Sequence, residues 1–235
     1  MSAEQRAGAN SGLRAQYRRQ RVALLIVGAI GAIVVGFAAG VFLGVPGTSA
    51  SEASPEAVDI GFLQDMSAHH AQAVEMAGVV LVNSTDPDVR RLAYDILTTQ
   101  QNQVGRMQGW LQLWGKPAQS VDGYMAWMTE HAAGHDHSQT VGEHSVPVPT
   151  MPGMATEDDL SALRAATGPT MDTMFLQLML RHHQGGLPMI DYATRYAATT
   201  AVRTLADTMA KTQRSESVTL TTMLSARGAT PLPQN

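Results

Sequence analysis

An 18-residue pattern built around two adjacent histidines occurs twice in this chain, 113 positions apart. The first copy, residues 59–76, reads DIGFLQDMSAHHAQAVEM, and the second, residues 172–189, reads DTMFLQLMLRHHQGGLPM. Identical residues recur beyond the pattern without a gap, through residues 89–115 and 202–228. A match of this length predicts an internal duplication, in which one supersecondary unit is used twice.

Each copy predicts a hairpin of two helices. In the first copy a helix is expected through about Asn83, and Asp86 and Pro87 then supply a cap and a first-turn proline for a second helix. Residues 115–117, Gly-Lys-Pro, are a stop signal. A hairpin with one apolar stripe cannot bury that stripe alone. We therefore expect an all-α fold over residues 57–228, a ferritin-like four-helix bundle, followed by a tail at 229–235.

The two copies are joined by residues 116–155, which are rich in His, Met, Gly and Pro and have no sustained period. This composition predicts a long mobile connection. Thr156 then opens a short helix that ends before Gly168. One difference between the copies is structural, because Pro188 is expected to kink or interrupt the helix just after the second His pair.

The N-terminal 56 residues predict a membrane anchor. Residues 22–45 contain no charged residue and are long enough as a helix to cross the roughly 30 Å hydrocarbon core of a bilayer. Residues 1–21 hold five Arg and one Glu, which places this tail in the cytoplasm and the later residues outside. A cleavable signal peptide is the alternative, but its apolar core is usually about 7–15 residues. Residues 46–56 are expected to be a linker.

Composition limits the chemistry that the chain can perform. There is no cysteine, which excludes disulfides, thiolate metal sites and cysteine nucleophiles. Beyond the basic tail the chain is acidic, which argues against nucleic acid as a partner and is compatible with cations. Any metal must therefore be held by His, Met, carboxylate or backbone groups.

Helical geometry places the repeated His and Met residues on one face of each helix, with Asp59 or Asp172 beside them. Such a face can be ordinary core or interface packing. Duplication favours metal binding, because burying four imidazoles without a partner costs free energy in both halves. Whether the copies build one shared site or two depends on how the hairpins pack. The predicted ligands are Met66, His69, His70, Met76, Met179, His182, His183 and Met189.

Imidazole and thioether ligands together favour copper, as Cu(I) or Cu(II). Zinc would not need the methionines, and ferritin-type iron would need Glu-x-x-His spacing, so both are less favoured. The connection offers a second candidate metal cluster, with a solvated polar linker as the alternative: His131, His135 and His137. The carboxylates of the second helices, Asp95, Asp207 and Glu216, are expected to be exposed helix-face charges.

The pattern F-L-x-x-M-x-x-H-H at residues 62–70 and again at 175–183 resembles domain-of-unknown-function family 305, as does the segment 153–168. The resemblance covers about residues 57–228. It implies a ferritin-like helical bundle, exported or membrane-anchored, with copper binding and copper tolerance among its members, and it points to the same eight His and Met residues. The chain departs from the family at residues 100–103, which read Gln-x-x-Gln where Gln-x-x-Glu is typical; residues 213–216 keep the glutamate.

Together these features predict a single-pass protein of the cell membrane that sequesters copper, confers tolerance to it or delivers it, without turnover. Two alternatives stay open. One is a ferritin-like oxidase that uses bound copper or iron, and the other is a structural or partner-docking protein of the cell envelope. A homo-oligomer or an envelope protein partner is compatible with each of them.

Overall fold

Five α-helices follow one another between Ala53 and Asn235 in the computed structural model, which describes residues 53–121, 123–128 and 147–235. Gly28, Ala32, Val35 and Gly36 are also described, and they are helical. The five helices are α1 (Ala57–Asn83), α2 (Pro87–Leu113), α3 (Glu157–Ala165), α4 (Gly168–Tyr196) and α5 (Thr200–Ala226). The chain divides into two units, Met1–Ser51 and Glu52–Asn235, and the second unit contains all five helices.

Local sequence signals set the helix ends. The Asp86 carboxylate accepts hydrogen bonds from the N–H groups of Asp88 at 2.9 Å and Val89 at 3.3 Å, and Pro87 occupies the first turn of α2. Thr156 caps α3 by accepting from the N–H of Asp159 at 3.0 Å. A cap of this kind stabilises a helix by about 1 kcal/mol, because it satisfies N–H groups that have no partner within the helix.

The helices form two hairpins, α1 with α2 and α4 with α5, and the hairpins pack against each other through α1 and α4. The short helix α3 contacts α1 and α4. The predictions of an all-α fold and of two helical hairpins are confirmed. The finer classification as ferritin-like stays a prediction.

Two hydrophobic cores fill the bundle, one towards each end of α1 and α4. The leucine-rich core contains Met76, Leu176, Leu178, Met179 and Leu220, among others. The methionine-rich core contains five methionines that are at most 1% exposed: Met66, Met107, Met151, Met189 and Met209. Along both α1 and α4 the histidine pair falls between residues of one core and residues of the other. The histidines therefore occupy a layer between two apolar regions.

Two buried carboxylates join each hairpin to the turn of the other. Asp59, in the first turn of α1, accepts from the N–H groups of Ala198 and Thr199, both at 2.9 Å. Asp172, its counterpart in the repeat, accepts from the hydroxyl of Ser84 at 2.6 Å. These two carboxylates, which the sequence placed on the metal-facing side, are used in packing the hairpins together.

Helix α4 continues through Pro188 from Gly168 to Tyr196, so the predicted interruption does not occur. Proline removes the hydrogen bond that an N–H at this position would donate to the carbonyl of Gln184. Both Pro188 and Gln184 are exposed, so water can solvate that carbonyl. The helix is therefore continuous beyond the histidines, and Met189 and Ile190 are fully buried.

The two ends of the connection between the hairpins are packed on the bundle. The indole N–H of Trp127 and the backbone N–H of Met125 both donate to the same Asp65 carboxylate oxygen at 2.7 Å. Tyr124 and Val148 form an antiparallel bridge, with N–O distances of 3.1 and 3.0 Å. The two ends of the connection therefore have defined contacts with the bundle and with each other, and the mobility of the connection stays a prediction. Residues 129–146 lie outside the described residues, and so do His131, His135 and His137.

Among the residues that the structure describes, no helix has the length and apolar character needed to cross a membrane. Apart from the four helical positions named above, the predicted anchor at 22–45 lies outside these residues, as does the basic tail. The membrane anchor and the orientation of the chain therefore stay predictions.

Candidate metal centre

The four histidines of the two repeated pairs meet in the middle of the bundle, and none has any exposed surface. The ring centroids of His69 and His182 lie 3.8 Å apart, with the ring planes inclined by 38°. His70 lies 6.5 Å from His69, and His183 lies 6.4 Å from His182, again between ring centroids. The two repeats therefore share one histidine cluster, which α1 and α4 build from opposite sides.

Three of the four rings are held at Nε2 by an acceptor outside the cluster. His69 Nε2 lies 3.3 Å from the carbonyl oxygen of Pro152, His70 Nε2 lies 2.8 Å from Gln103 Oε1, and His183 Nε2 lies 2.7 Å from Glu216 Oε2. A carbonyl or a carboxylate can only accept, so the proton sits on Nε2 of His69 and His183. The other nitrogen, Nδ1, then carries a lone pair in each of these rings.

Polar atoms without a partner are concentrated in this layer. In the described part of the chain they include Nδ1 of all four histidines, Nε2 of His182 and both amide atoms of Gln100 and Gln213. Gln100 and Gln213 are repeat counterparts and are each 2% exposed. A buried polar group without a hydrogen bond costs about 1–3 kcal/mol. A cation, another ligand or ordered water in the cluster would satisfy these atoms.

Burial lowers the pKa of three of the imidazoles and so keeps them uncharged near neutral pH. It lowers the pKa of His69 from 6.5 to about 4 and that of His70 to about 3, with the neighbouring histidines contributing to both decreases. The pKa of His182 is also lowered well below its ordinary value, mainly by burial. Neutral imidazole is the form that binds a metal ion, so these rings need not release a proton to do so.

Methionines border the histidine layer on both sides. Met66 and Met189 lie in the methionine-rich core, whereas Met76 and Met179 lie in the leucine-rich core. All four are fully buried. The eight predicted ligands of the repeats therefore lie in the interior of one bundle, with the imidazoles in the middle and the thioethers towards both ends.

A strap formed by residues 151–155 crosses the bundle beside the cluster and supplies the Pro152 carbonyl. Gln72 of α1 holds it through two hydrogen bonds with the backbone of Ala155, at 2.9 and 2.7 Å. Asn235 holds it through the N–H of Gly153 and the carbonyl of Met154, both at 3.1 Å. On α4 the strap passes so close to Gly185 that a Cβ there would lie 2.4 Å from the Pro152 carbonyl. The strap separates this side of the cluster from solvent.

As they stand, no three His, Asp or Glu side chains of the described residues are arranged to hold one metal ion together. His69 and His182 are placed ring over ring, which brings their faces together instead of their lone pairs. Binding would therefore require at least one ring to turn. The available donors are imidazole nitrogens, amide oxygens and thioethers, and this set suits a soft or borderline cation such as copper better than Ca²⁺ or Mg²⁺.

Sequence reasoning missed the polar residues around the histidines. Glu216 is not the exposed helix-face charge that was predicted, because its side chain is 16% exposed and hydrogen-bonded to His183. Gln100 and Gln213 were matched as repeat residues without being assigned to the site. The available signal was the repeated Gln-x-x-Gln or Gln-x-x-Glu pattern at residues 100–103 and 213–216, whose last residue lies 33 positions after the second histidine of each pair.

Two helical hairpins that share a buried histidine cluster define an all-α protein of duplicated design. The chain belongs to the DUF305 family, a domain of unknown function, whose profile matches residues 59–224. The predicted family resemblance is therefore confirmed. Among curated proteins no match was found.

Several solved structures share the fold. A DUF305 protein from Streptomyces coelicolor is 38% identical with a TM-score of 0.65, over 75% of this chain and 97% of its own. A DUF305 fragment from Deinococcus radiodurans is 30% identical with a TM-score of 0.58, over 74% of this chain and 99% of its own. CopM in a Cu(II)-bound form is 24% identical with a TM-score of 0.53, over 72% of this chain and 96% of its own. CopM has also been solved in Cu(I)-bound and silver-bound forms.

Proposed function

We propose that this protein is a membrane-anchored, extracytoplasmic copper-binding protein that sequesters copper or hands it on, without turnover. The observation that carries this proposal is the buried layer of unpartnered nitrogen and amide atoms shared by the two repeats. A layer needed only for packing would be more stable if it were apolar, because buried polar atoms without partners cost free energy. A bound cation would offset that cost.

Copper is favoured over other metals by the donor types. Imidazole accepts copper in either oxidation state, whereas thioether favours Cu(I), and both kinds of side chain are buried in the same bundle. The related fold of CopM, solved with Cu(I), Cu(II) and silver, supports the same choice. Zinc and iron are less favoured, because neither accounts for the methionines.

The proposed location rests on the sequence, and the proposed mode of action rests on the enclosure of the histidine cluster. An uncharged run at residues 22–45 after an arginine-rich tail favours a single-pass anchor with the bundle outside the cytoplasm. The cluster is fully buried, and a strap covers one side of it. This enclosure is suited to holding a metal ion and less suited to rapid exchange of a substrate.

A competition titration with Cu(I), Cu(II) and Ag(I) tests the metal-binding proposal. The wild-type chain should bind with high affinity, and a His69→Leu/His182→Leu variant should lose that binding. Leucine keeps the volume of the buried site and removes its nitrogen donors, so a thermal melt should still show a folded bundle. Equal metal binding by the folded double variant and the wild type would contradict the proposal.

A second variant distinguishes metal binding by the bundle from metal binding by the connection. Replacing His131, His135 and His137 with alanine removes the other predicted cluster and leaves the bundle unchanged. We expect this variant to keep the high-affinity metal and to lose at most additional weaker binding. Protease accessibility of the bundle in intact cells and in spheroplasts tests the proposed orientation independently.

A further inference from the structure

The histidine that ends each repeated pair has a side-chain partner on the second helix of its own hairpin. Glu216 Oε2 of α5 lies 2.7 Å from His183 Nε2, where the histidine side chain is fully buried and that of the glutamate is 16% exposed. A carboxylate can only accept, so Nε2 carries the hydrogen. The opposite nitrogen, Nδ1, is buried and has no partner among the described residues.

The first repeat has the same arrangement with a different charge. His70 Nε2 lies 2.8 Å from Gln103 Oε1 of α2, and His70 Nδ1 is likewise buried without a partner in the described part of the chain. Positions 103 and 216 are counterparts in the 113-residue repeat. The partner is therefore a neutral amide in one half of the site and a carboxylate in the other.

No arginine or lysine within the described ranges forms an ion pair with Glu216, and the side chain that it contacts there is the imidazole of His183. The negative charge is therefore not neutralised locally. Histidines that bind metals commonly donate their other ring N–H to a carboxylate or a carbonyl, which fixes the tautomer and raises the basicity of the ligand. Glu216 has the position and the chemistry for this role.

We propose that Glu216 is a positioning residue of the copper site, which fixes His183 with its hydrogen on Nε2, leaves Nδ1 for the metal and gives the second repeat a preference for Cu(II). Gln103 orients His70 in the same way without adding charge. The inference rests on the proposed function, because it assigns a role towards the copper that the cluster would bind.

The preference for the oxidised metal follows from electrostatics. A carboxylate hydrogen-bonded to a ligand stabilises the more highly charged ion more strongly, and in a buried site this effect is poorly screened. Removing a partner of this kind typically lowers metal affinity about 10–100-fold. We therefore expect Glu216→Gln to reduce Cu(II) affinity about tenfold relative to Cu(I), equivalent to a rise of about 59 mV in the one-electron potential.

The tautomer can be measured without metal. In the purified full chain labelled with ¹⁵N-histidine, long-range ¹H–¹⁵N spectra should show His183 and His70 with hydrogen on Nε2. Glu216→Leu should abolish this preference at His183 and leave His70 unchanged. A His183 ring with its hydrogen on Nδ1 in the wild type would overturn the inference.

The charge effect is measured by titrating each variant with Cu(I) and Cu(II). Glu216→Gln should shift the affinity ratio towards Cu(I), and Gln103→Glu should shift it towards Cu(II). The matched control is Asp207→Asn, which removes one carboxylate from the same helix at a site paired with Lys211, away from the cluster. An equal shift in the control and in Glu216→Gln would mean that net charge alone acts, and would overturn the proposed role.

The two proposals fail in distinguishable ways. If the wild-type chain binds no copper, the proposed function falls, and the role of Glu216 towards copper falls with it. If the chain binds copper but His183 has the other tautomer, or the affinity ratio does not respond to Glu216→Gln, the inference alone falls.

Discussion

The two repeats carry the same histidines and differ in how they hold the connection between them. In α1, Asp65 accepts from Met125 and Trp127, and Gln72 binds the backbone of Ala155. The counterparts in α4 are Leu178, which lies in the leucine-rich core, and Gly185, over which the strap passes. The connection occurs once, so the two copies contact it with different residues. These differences fall on residues that serve the connection, while the histidines themselves stay duplicated.

Acidification should have the largest effect on stability, and it tests the buried histidines, which both copies contribute. His69 and His70 have pKa values of about 4 and about 3 in the folded chain, against an ordinary value of 6.5. The unfolded chain therefore takes up protons first, so stability is fully present above about pH 6.5 and is lost as the pH falls towards 4 and then 3. At about 1.4 kcal/mol per pKa unit, the loss from these two histidines together is on the order of 8 kcal/mol.

Urea unfolding of the metal-free protein at a series of pH values measures this loss. The His70→Leu variant is the comparison, because it removes one of the buried imidazoles with a lowered pKa and keeps the carboxylates that also titrate in acid. Its free energy of unfolding should fall less steeply between pH 6.5 and 4. Parallel curves for the variant and the wild type would show that the buried imidazoles do not cause the loss.

Replacing the residue at position 65 or 178 by its counterpart in the other repeat should have the next largest effect on stability. Leu178→Asp places a carboxylate in the leucine-rich core, where Leu178 is 2% exposed, and should cost about 3–4 kcal/mol. Asp65→Leu leaves the N–H groups of Trp127 and Met125 without their acceptor and should cost about 2 kcal/mol. Both values are measured by chemical denaturation.

Tryptophan fluorescence distinguishes the two substitutions. Only Asp65→Leu should move the emission of Trp127, because it releases the segment that carries this residue. Burial raises the pKa of Asp65, although the two hydrogen bonds oppose that rise. An Asp65→Leu variant as stable as the wild type would mean that these hydrogen bonds do not secure the connection.

A substitution at Gly185 should have a moderate effect, and it tests the strap. A Cβ at this position would lie 2.4 Å from the carbonyl carbon and oxygen of Pro152, so Gly185→Ala must displace the backbone of the strap. We expect a loss of about 1–3 kcal/mol, typical of overpacking. Hydrogen exchange should rise at the N–H of Gly153, which Asn235 protects. Unchanged exchange there would show that the strap does not lie against α4.

The helices and the histidine face follow from local properties of the sequence. Caps such as Asp86 and Thr156 act within one turn, and the His and Met spacing depends only on helical geometry, so both were predictable. The partners of the histidines were not, because they depend on which faces of α1 and α2 meet. His70 and Gln103 are 33 residues apart, and their contact requires the whole hairpin to be in place.

The backbone groups that the connection places beside the histidines could not be predicted from the sequence, for a second reason. The Pro152 carbonyl is 83 residues from His69, and no side chain identifies it as a partner. The absence of an interruption at Pro188 has the same origin, because the cost of a proline in a helix depends on whether the released carbonyl can reach water. Exposure of that kind is a property of the folded bundle, not of the residues near Pro188 in the sequence.

The smallest effect on stability is expected for a substitution on the outer face of α2, and it compares this face with the corresponding face of α5. Gly105 lies in the middle of α2 and is exposed, and a Cβ there would meet nothing within 4 Å. Its counterpart in α5, Val218, already carries a side chain and is 68% exposed. Gly105→Ala should raise the free energy of unfolding by about 0.4–1 kcal/mol, chiefly because alanine has fewer conformations to lose on folding.

Thermal unfolding measures the gain, and copper affinity should not change, because this face of α2 points away from the cluster that Gln100 and Gln103 line. If stability rose while copper affinity fell, binding would depend on flexibility within α2, and the repeats would then differ in motion as well as in charge.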